Sequence, residues 1–136
     1  MNSRILIFVL FFPLFPLFFN SCNNRPIDCS KSNIAIENRW YAYNGGIDFL
    51  KIKNNDDLIF ICNRINQFSE GEEVRVAYSY GDIDIYLNNR KIQAIFTYKN
   101  GVVYKVGVGR YVYDEELTAR ILKLMKINNR CWGDCR

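Results

Sequence analysis

Histidine is absent from this chain of 136 residues. Without an imidazole, the chain cannot form a Ser-His-Asp triad, a Cys-His pair or a histidine metal ligand. The hydrolase motifs Gly-x-Ser-x-Gly, Ser-x-x-Lys and His-Glu-x-x-His are missing as well. We therefore expect a protein that is not an enzyme and that holds no metal and no cofactor.

A strong excess of charge of one sign is also missing. The formal net charge is +4, from 18 basic and 14 acidic side chains. Domains that bind nucleic acid are usually more basic and cluster their lysines and arginines, so we expect no nucleic-acid partner. The chain shows no internal repeat and no second domain boundary, and its length suits one domain with one core.

The only long hydrophobic run, residues 5–19, is too short to span a membrane. A spanning helix needs about 20 apolar residues, and Pro13 and Pro16 would break a helix within this run. A charged start at Arg4, a short apolar run and a small residue at Ser21 are typical of a secretory signal. The sequence therefore predicts that residues 1–21 are a signal peptide and that the protein is exported.

The end of this signal, Ser21-Cys22, resembles the bacterial lipoprotein processing signal, and the resemblance covers residues 1–22. It implies a lipid anchor on Cys22 and a location on the bacterial cell envelope, facing the periplasm. Ordinary signal-peptidase cleavage, which would leave Cys22 as a thiol, is the alternative. After the anchor we expect a tether over residues 22–38 and one domain over residues 39–136.

The chain has five cysteines, and a lipid on Cys22 leaves Cys29, Cys62, Cys131 and Cys135. An even number of cysteines in an exported chain predicts two disulfides. Three pairings are possible. We favour bridges from Cys131 and Cys135 to Cys29 and Cys62, because the polar C-terminal tail and the tether have little apolar area to hold them down.

Two amphipathic helices and a first hairpin can be read from the pattern. Apolar runs around Asn44-Gly45-Gly46 predict a hairpin within residues 39–53. Asn55 is expected to cap a first helix, and Asp114 a second. Apolar residues recur at helical spacing in both helices: Leu58, Ile61, Ile65 and Phe68 in the first, and Leu117, Ile121, Leu124 and Met125 in the second.

Between the helices, residues 74–108 alternate with a period of two, which is typical of strands. Turns at Gly81-Asp82 and Asn88-Asn89 and a three-residue loop at Lys99-Asn100-Gly101 would give a four-stranded antiparallel meander. This register pairs Ile83 with Ala94, Ile85 with Ile92 and Phe96 with Tyr104. The polar face of the meander would carry Arg75, Ala77, Ser79, Asp84, Tyr86, Lys91, Gln93, Ile95, Thr97 and Lys105.

These elements predict an α+β domain in the order ββ-α-ββββ-α. Both amphipathic helices would pack on the apolar face of an antiparallel sheet built on the meander, and the other face would meet water. The apolar face would include Val74, Val76 and Tyr78 at one edge and Tyr104 and Val106 at the other.

No cluster of side chains in the sequence indicates catalysis. Glu70, Glu72 and Glu73 could act as paired carboxylates, but they lie in a connection where acidic residues are usually solvated.

Tyrosine is more informative about function, since nine tyrosines are present and tyrosine is enriched at binding hot spots. We predict a protein-binding surface on the polar face of the sheet, with Tyr86 as the aromatic anchor. The charges of Asp82, Asp84 and Lys91 would surround it, and the carboxylates would meet a basic partner.

The sequence therefore predicts a small exported lipoprotein that acts as a protein-binding module in the envelope. In general plan it resembles small immunity proteins and inhibitors of envelope-acting toxins or hydrolases. The alternative is an accessory lipoprotein of an envelope assembly. The membrane contact in either case would be the lipid on Cys22.

Overall fold

A computed structural model describes residues 25–41, 45–71, 73–76, 78–97 and 101–127. It contains six strands and two α-helices: β1 (Ile34–Asn38), β2 (Phe49–Lys51), α1 (Asn55–Asn66), β3 (Ser79–Leu87), β4 (Arg90–Thr97), β5 (Gly101–Gly107), β6 (Arg110–Tyr113) and α2 (Glu115–Leu124). Short 3₁₀ turns at Cys29–Lys31 and Gln67–Glu70 precede β1 and follow α1.

All six strands form one antiparallel sheet in the order β2-β1-β3-β4-β5-β6. The predicted α+β class with an antiparallel sheet is therefore confirmed. Within the described ranges, no helix is long and apolar enough to cross a membrane.

Both helices contact the same face of this sheet. The ring of Tyr104 on β5 lies 5.2 Å from the ring of Phe68, which follows α1, and its hydroxyl lies 3.0 Å from Thr118 Oγ1 on α2. The core between the sheet and the helices includes buried residues from all of these elements: Ile36, Ile85, Ala94, Tyr104, Ile61, Ile65, Leu117, Ile121 and Met125. We call the opposite face of the sheet the outer face.

The folded part begins earlier than the predicted boundary at residue 39. Residues assigned to the tether form β1, which lies between β2 and β3 and buries Ile34, Ile36 and Asn38. The alternation of apolar and polar residues in this segment, with Ala35 and Glu37 facing the other way, is the pattern of a half-buried strand. The first hairpin therefore joins residues 34–38 to residues 49–51, and not two strands within 39–53.

The helix caps follow the expected chemistry, with a shift of one residue at α1. Asn54, not Asn55, caps α1, because its side chain accepts hydrogen bonds from the backbone N–H groups of Asp56 and Asp57. Asp114 caps α2 as predicted, accepting from Leu117 N. In both cases the cap satisfies N–H groups that have no partner within the helix.

The predicted turn at Gly81-Asp82 is wrong, because β3 continues through both residues, with a shift in its pairing to β4 between Ser79 and Gly81. Gly81 faces the core, where a Cβ would stand 2.7 Å from the indole of Trp40. Gly81 therefore allows the backbone to pack closely against Trp40, and it does not form a turn. The predicted strand before this turn is present only in Ser79 and Tyr80, which belong to β3. Residues 74–76 are not in a strand, and Val74 N donates to Tyr111 O at 2.9 Å beside β6, while Tyr78 is 78% exposed.

The two later turns have different outcomes. Asn88-Asn89 joins β3 to β4 and pairs Ile83 with Ala94 and Ile85 with Ile92, as predicted. Between β4 and β5, however, Phe96 pairs with Val102 and not with Tyr104. This error of two residues leaves every side chain on its predicted face, because the side-chain period of a strand is two. Gly101 is left-handed at φ 69°, as expected.

Thr97 differs from its expected exposure. It was placed on the solvated face, yet it is 3% exposed, and its Oγ1 donates to Gly101 O at 2.9 Å. Thr97 is the last residue of β4, and its hydroxyl satisfies a carbonyl at the start of β5.

Candidate functional site

The outer face carries a compact group of charged and polar side chains from β1, β3 and β4. Strand pairing places Glu37 beside Asp84, and Asp84 beside Gln93. The neighbouring pairs on the same face are Tyr86 with Lys91 and Asp82 with Ile95. We call the polar members of this group the outer-face cluster: Glu37, Arg39, Asp82, Asp84, Tyr86, Lys91 and Gln93.

Asp84 lies at the centre of the cluster and has no exposed side-chain surface. Its Oδ2 is 2.8 Å from Arg39 Nη2 and 2.7 Å from Lys91 Nζ. A buried carboxylate is tolerated only when it is paired, and two cations supply that compensation here. Its Oδ1 is also buried and has no hydrogen-bond partner within the described part of the chain.

The two cations above Asp84 are the exposed charges of the cluster. The side chain of Arg39 is 48% exposed and that of Lys91 is 43% exposed. Because both are paired to the same buried oxygen, their heads are held close together at the surface. The result is a pair of positively charged donors fixed from below by a carboxylate that solvent does not reach.

Asp82 extends the same network along β3. Its Oδ2 accepts a hydrogen bond from Gln93 Nε2 at 2.6 Å and lies 3.6 Å from Arg39 Nη1. Arg39 therefore lies between both aspartates of the strand. Such a network restricts the rotamers of the long side chains before any partner binds. The loss of side-chain conformational entropy on binding is therefore smaller.

Tyr86 is fixed on the other side of the cluster. Its hydroxyl donates to Glu37 Oε2 at 2.8 Å, and Lys91 Nζ lies 5.9 Å from the centre of its ring. The hydrogen bond to the Glu37 carboxylate raises the pKa of Tyr86, because it stabilises the neutral phenol. Tyr86 therefore presents a ring of defined orientation that is partly exposed.

The structure brings together all four side chains that the sequence indicated as a contact surface: Asp82, Asp84, Tyr86 and Lys91. It places them differently from expectation, however. Asp84 was expected to face a partner directly, but it lies beneath Arg39 and Lys91, and Asp82 is already paired within the chain.

Glu37 and Arg39 belong to the site but are not among the residues predicted from the sequence. The signal that could have found them is the period of two at Ile34 and Ile36, which marks residues 34–38 as a strand with Glu37 on its polar side. Arg39 follows directly after that strand.

Two exposed aromatic side chains lie on the outer face, Phe49 beside the cluster and Tyr113 three strands away from Asp82. Phe49 on β2 pairs with Glu37 and is 56% exposed. Tyr113 on β6 pairs with Val103, which pairs in turn with Ile95, the neighbour of Asp82. The outer face therefore combines fixed charges with apolar contact area.

Two of the three acidic residues after α1, Glu70 and Glu73, are described by the structure. Glu73 forms an ion pair with Arg110 Nε at 2.6 Å, and Glu70 is exposed. Glu72 lies outside the described residues. Across the described ranges, no three acidic or cysteine side chains stand close enough to hold a metal ion.

Cys29 and Cys62 form a disulfide with each other. The favoured pairing of each with a C-terminal cysteine is therefore wrong. Cys62 is fully buried on α1 and Cys29 follows the start of the described chain, so the bridge holds the N-terminal segment against the helix. Cys22, Cys131 and Cys135 lie outside the described residues.

No protein-family model, curated protein or solved structure matches this chain.

Proposed function

We propose that this chain is an exported lipoprotein that binds a protein partner in the bacterial envelope through the outer face of its sheet. The partner is an envelope-acting toxin or hydrolase, and the chain acts as its immunity protein or inhibitor without catalysis of its own. The observation that carries the proposal is the outer-face cluster, in which buried Asp84 fixes two exposed cations beside an oriented tyrosine.

The geometry favours a partner that presents a carboxylate to this surface. Arg39 and Lys91 are the half-exposed charges, whereas Asp84 has no exposed area and Asp82 is paired within the cluster. A partner carboxylate between the two cations would receive charge-assisted hydrogen bonds. This changes the chemistry expected from the sequence, in which the aspartates were to meet a basic partner.

Aromatic residues would supply the apolar part of the contact. Tyr86 stands within the cluster and Phe49 beside it, and tyrosine and other aromatic residues carry much of the binding energy at interfaces. Because Tyr86 is held by Glu37 and Lys91, it binds with little loss of side-chain freedom.

Export and anchoring rest on the signal at residues 1–21 and on Cys22. The disulfide between Cys29 and Cys62 supports export, since such bonds form and persist in oxidising compartments. Membrane fractionation tests the anchor: the wild-type chain should sediment with membranes, and the Cys22→Ala variant should not. Equal release of both variants would contradict the anchor.

The binding surface is tested by capture of envelope proteins on the mature chain, followed by affinity and inhibition measurements with any toxin or hydrolase recovered. Tyr86→Ala should weaken the complex at least tenfold, as loss of about 1.4 kcal/mol or more at a hot spot does. Lys91→Gln should lower the association rate and its dependence on salt.

Lys123→Gln is the matched control for Lys91→Gln, because Lys123 is an exposed lysine on α2, away from the outer face. It should leave both affinity and rate unchanged. Unchanged affinity in the Tyr86→Ala, Lys91→Gln double variant would contradict this surface. Cleavage of an envelope substrate by the purified chain would contradict the inhibitor role itself.

An accessory role in an envelope assembly is the second candidate, since the same surface would suit a structural partner. The two candidates differ in the capture experiment. An inhibitor should recover a hydrolase or toxin and suppress its activity, whereas an accessory lipoprotein should recover assembly components with no activity to suppress.

A further inference from the structure

The first described residues are fixed to one end of the sheet. The disulfide joins Cys29 to Cys62 on α1, and the side-chain amide of Asn66 both accepts from Ile27 N and donates to Ile27 O, each at 2.9 Å. Asn33 then exchanges two hydrogen bonds with Asn88, at 2.8 and 2.9 Å. We call this the Asn88 end of the sheet, where the β3–β4 and β5–β6 turns lie.

This attachment limits how far Cys22 can stand from the Asn88 end. Arg25 lies three positions after Cys22, and an extended chain spans at most about 3.6 Å per residue, or about 11 Å over these three steps. A lipid on Cys22 would therefore hold the Asn88 end against the membrane. This placement of the Asn88 end rests on the proposed lipid anchor.

The Asn88 end is lined with basic side chains. Arg25, Arg90 and Arg110 line one cleft of about 190 Å³. Arg90 also borders a neighbouring groove of about 370 Å³, together with Lys91 and Lys105. Five cations from four separate segments of the chain thus converge on the end to which the tether is fixed.

Most of this positive charge is not neutralised. Arg110 pairs with Glu73, and Lys91 pairs with Asp84. Arg25, Arg90 and Lys105 are exposed and form no ion pair with any described carboxylate, and the acidic side chain lining the cleft is Glu70. The surface therefore retains a positive excess that suits an anionic ligand.

An apolar residue projects from the same end. Val108 lies in the β5–β6 turn, borders the basic groove and is fully exposed at 104%. Gly107 and Gly109 flank it, and Gly109 is left-handed at φ 68°, a conformation that favours glycine. An exposed valine at the tip of a turn gains no hydrophobic free energy in water. It would gain this free energy at the boundary between lipid headgroups and acyl chains.

We propose that the Asn88 end is a membrane-docking surface for anionic phospholipid. Arg25, Arg90 and Lys105 contact headgroup phosphates, and Val108 enters the interface. Arginine suits phosphate through its planar set of donors, and basic residues near an anionic surface attract it. The anchor and the docking surface together hold the sheet upright, with the Asn88 end on the membrane.

The experiment places a tryptophan at the tip of the turn in the full chain, expressed with its own signal. Val108→Trp is compared with Tyr78→Trp, whose site is also exposed but precedes β3 at the opposite end of the sheet. Each protein is combined with vesicles of brominated phosphatidylcholine, with or without phosphatidylglycerol. Fluorescence quenching is measured relative to the wild-type chain.

We expect quenching at position 108 with phosphatidylglycerol and little quenching at position 78. The signal at 108 should be lost without phosphatidylglycerol, and also in a background of Arg25→Gln, Arg90→Gln and Lys105→Gln. For protein molecules without a lipid on Cys22, removal of each cation should lower the affinity for these vesicles about fivefold. Equal quenching at both positions would overturn the proposal, as would quenching at 108 that ignores phosphatidylglycerol and the three cations.

The anchor is tested separately by the mass of the N-terminal peptide. If Cys22 carries no acyl chains, the anchor fails, but soluble chain added to the same vesicles still reports on the docking surface. In that case quenching at 108 that depends on phosphatidylglycerol would support the surface, and its absence would reject it.

Discussion

Arg64 on α1 and Asp114 at the start of α2 form a two-pronged ion pair that joins the helices. Nε and Nη2 of Arg64 each donate to an Asp114 oxygen at 2.8 Å. The same carboxylate caps α2 by accepting from Leu117 N at 2.9 Å. The hydrogen bonds to Asp114 raise the pKa of Arg64 above its ordinary value, since they stabilise the charged guanidinium.

Loss of this carboxylate should destabilise the domain strongly. Asp114→Ala removes both the helix cap and the partner of a half-buried arginine, so the free energy of unfolding should fall by about 2–4 kcal/mol. Urea denaturation measures the change. Glu116→Gln is the control, because exposed Glu116 also pairs with Arg64 at 3.4 Å and should cost less than about 1 kcal/mol. Equal losses in the two variants would contradict the role of Asp114.

The disulfide between Cys29 and Cys62 should contribute measurably to stability. The residues are 33 positions apart, and loop-closure entropy for such a loop is about 3–4 kcal/mol. Cys29→Ala with Cys62→Ala should therefore lower the urea midpoint clearly. Non-reducing peptide mapping should find Cys29 joined to Cys62, and should still find this in a Cys131→Ala, Cys135→Ala variant. A bridge from either residue to the C-terminal cysteines would contradict the structure.

Gly81 should tolerate no side chain. A Cβ there would stand 2.7 Å from Trp40, whose ring packs against Tyr80 at 5.0 Å and so has little room to retreat. Gly81→Ala should cost about 1–3 kcal/mol, the usual range for overpacking. The matched control is Gly107→Ala, where the nearest atom to a Cβ, on Arg110, is 4.0 Å away. If both variants unfold at the same urea concentration, Gly81 is not a packing glycine.

Stability should fall at alkaline pH because of Tyr104. Burial raises the pKa of this fully buried phenol well above its ordinary value of about 10. Above pH 10 the unfolded chain loses that proton while the folded chain keeps it, so the free energy of unfolding decreases as pH rises. Below pH 10 this contribution is constant.

Thermal unfolding between pH 9 and pH 11 checks the effect. Tyr104→Phe should flatten the pH dependence, although it also removes the hydrogen bond to Thr118 and lowers stability at neutral pH. Tyr86→Phe is the comparison, because the pKa of Tyr86 is raised as well but its side chain is partly exposed. An identical slope in the wild type and Tyr104→Phe would show that Tyr104 is not responsible.

Local chemistry in the sequence was enough to place both helices, the Asn88-Asn89 turn and the faces of β4 and β5. A helix cap depends on one side chain and the next few backbone N–H groups, and the face of a strand residue depends on a period of two. Both can therefore be predicted without knowledge of the rest of the chain. For the same reason the four indicated site residues fall on one face: Asp82, Asp84 and Tyr86 alternate along β3, and Lys91 faces Tyr86 across a well-specified turn.

Contacts between residues distant in sequence decided the features of the fold and of the site that the sequence did not predict. Gly81-Asp82 has the composition of a turn, but Trp40 occupies the space beside Gly81 and Arg39 pairs with Asp82, so the strand continues. The pairing of Cys29 with Cys62 depends on where α1 lies relative to residue 29, which no local pattern records. Asp84 is polar and is expected to be exposed, yet two cations cover it, Arg39 from after β1 and Lys91 from β4.

The sequence by itself therefore determined which residues share an element and a face. Only the tertiary structure decided which strands meet, which cysteines pair and which charge of the cluster reaches the solvent, because each of these depends on segments that approach one another only in the folded chain.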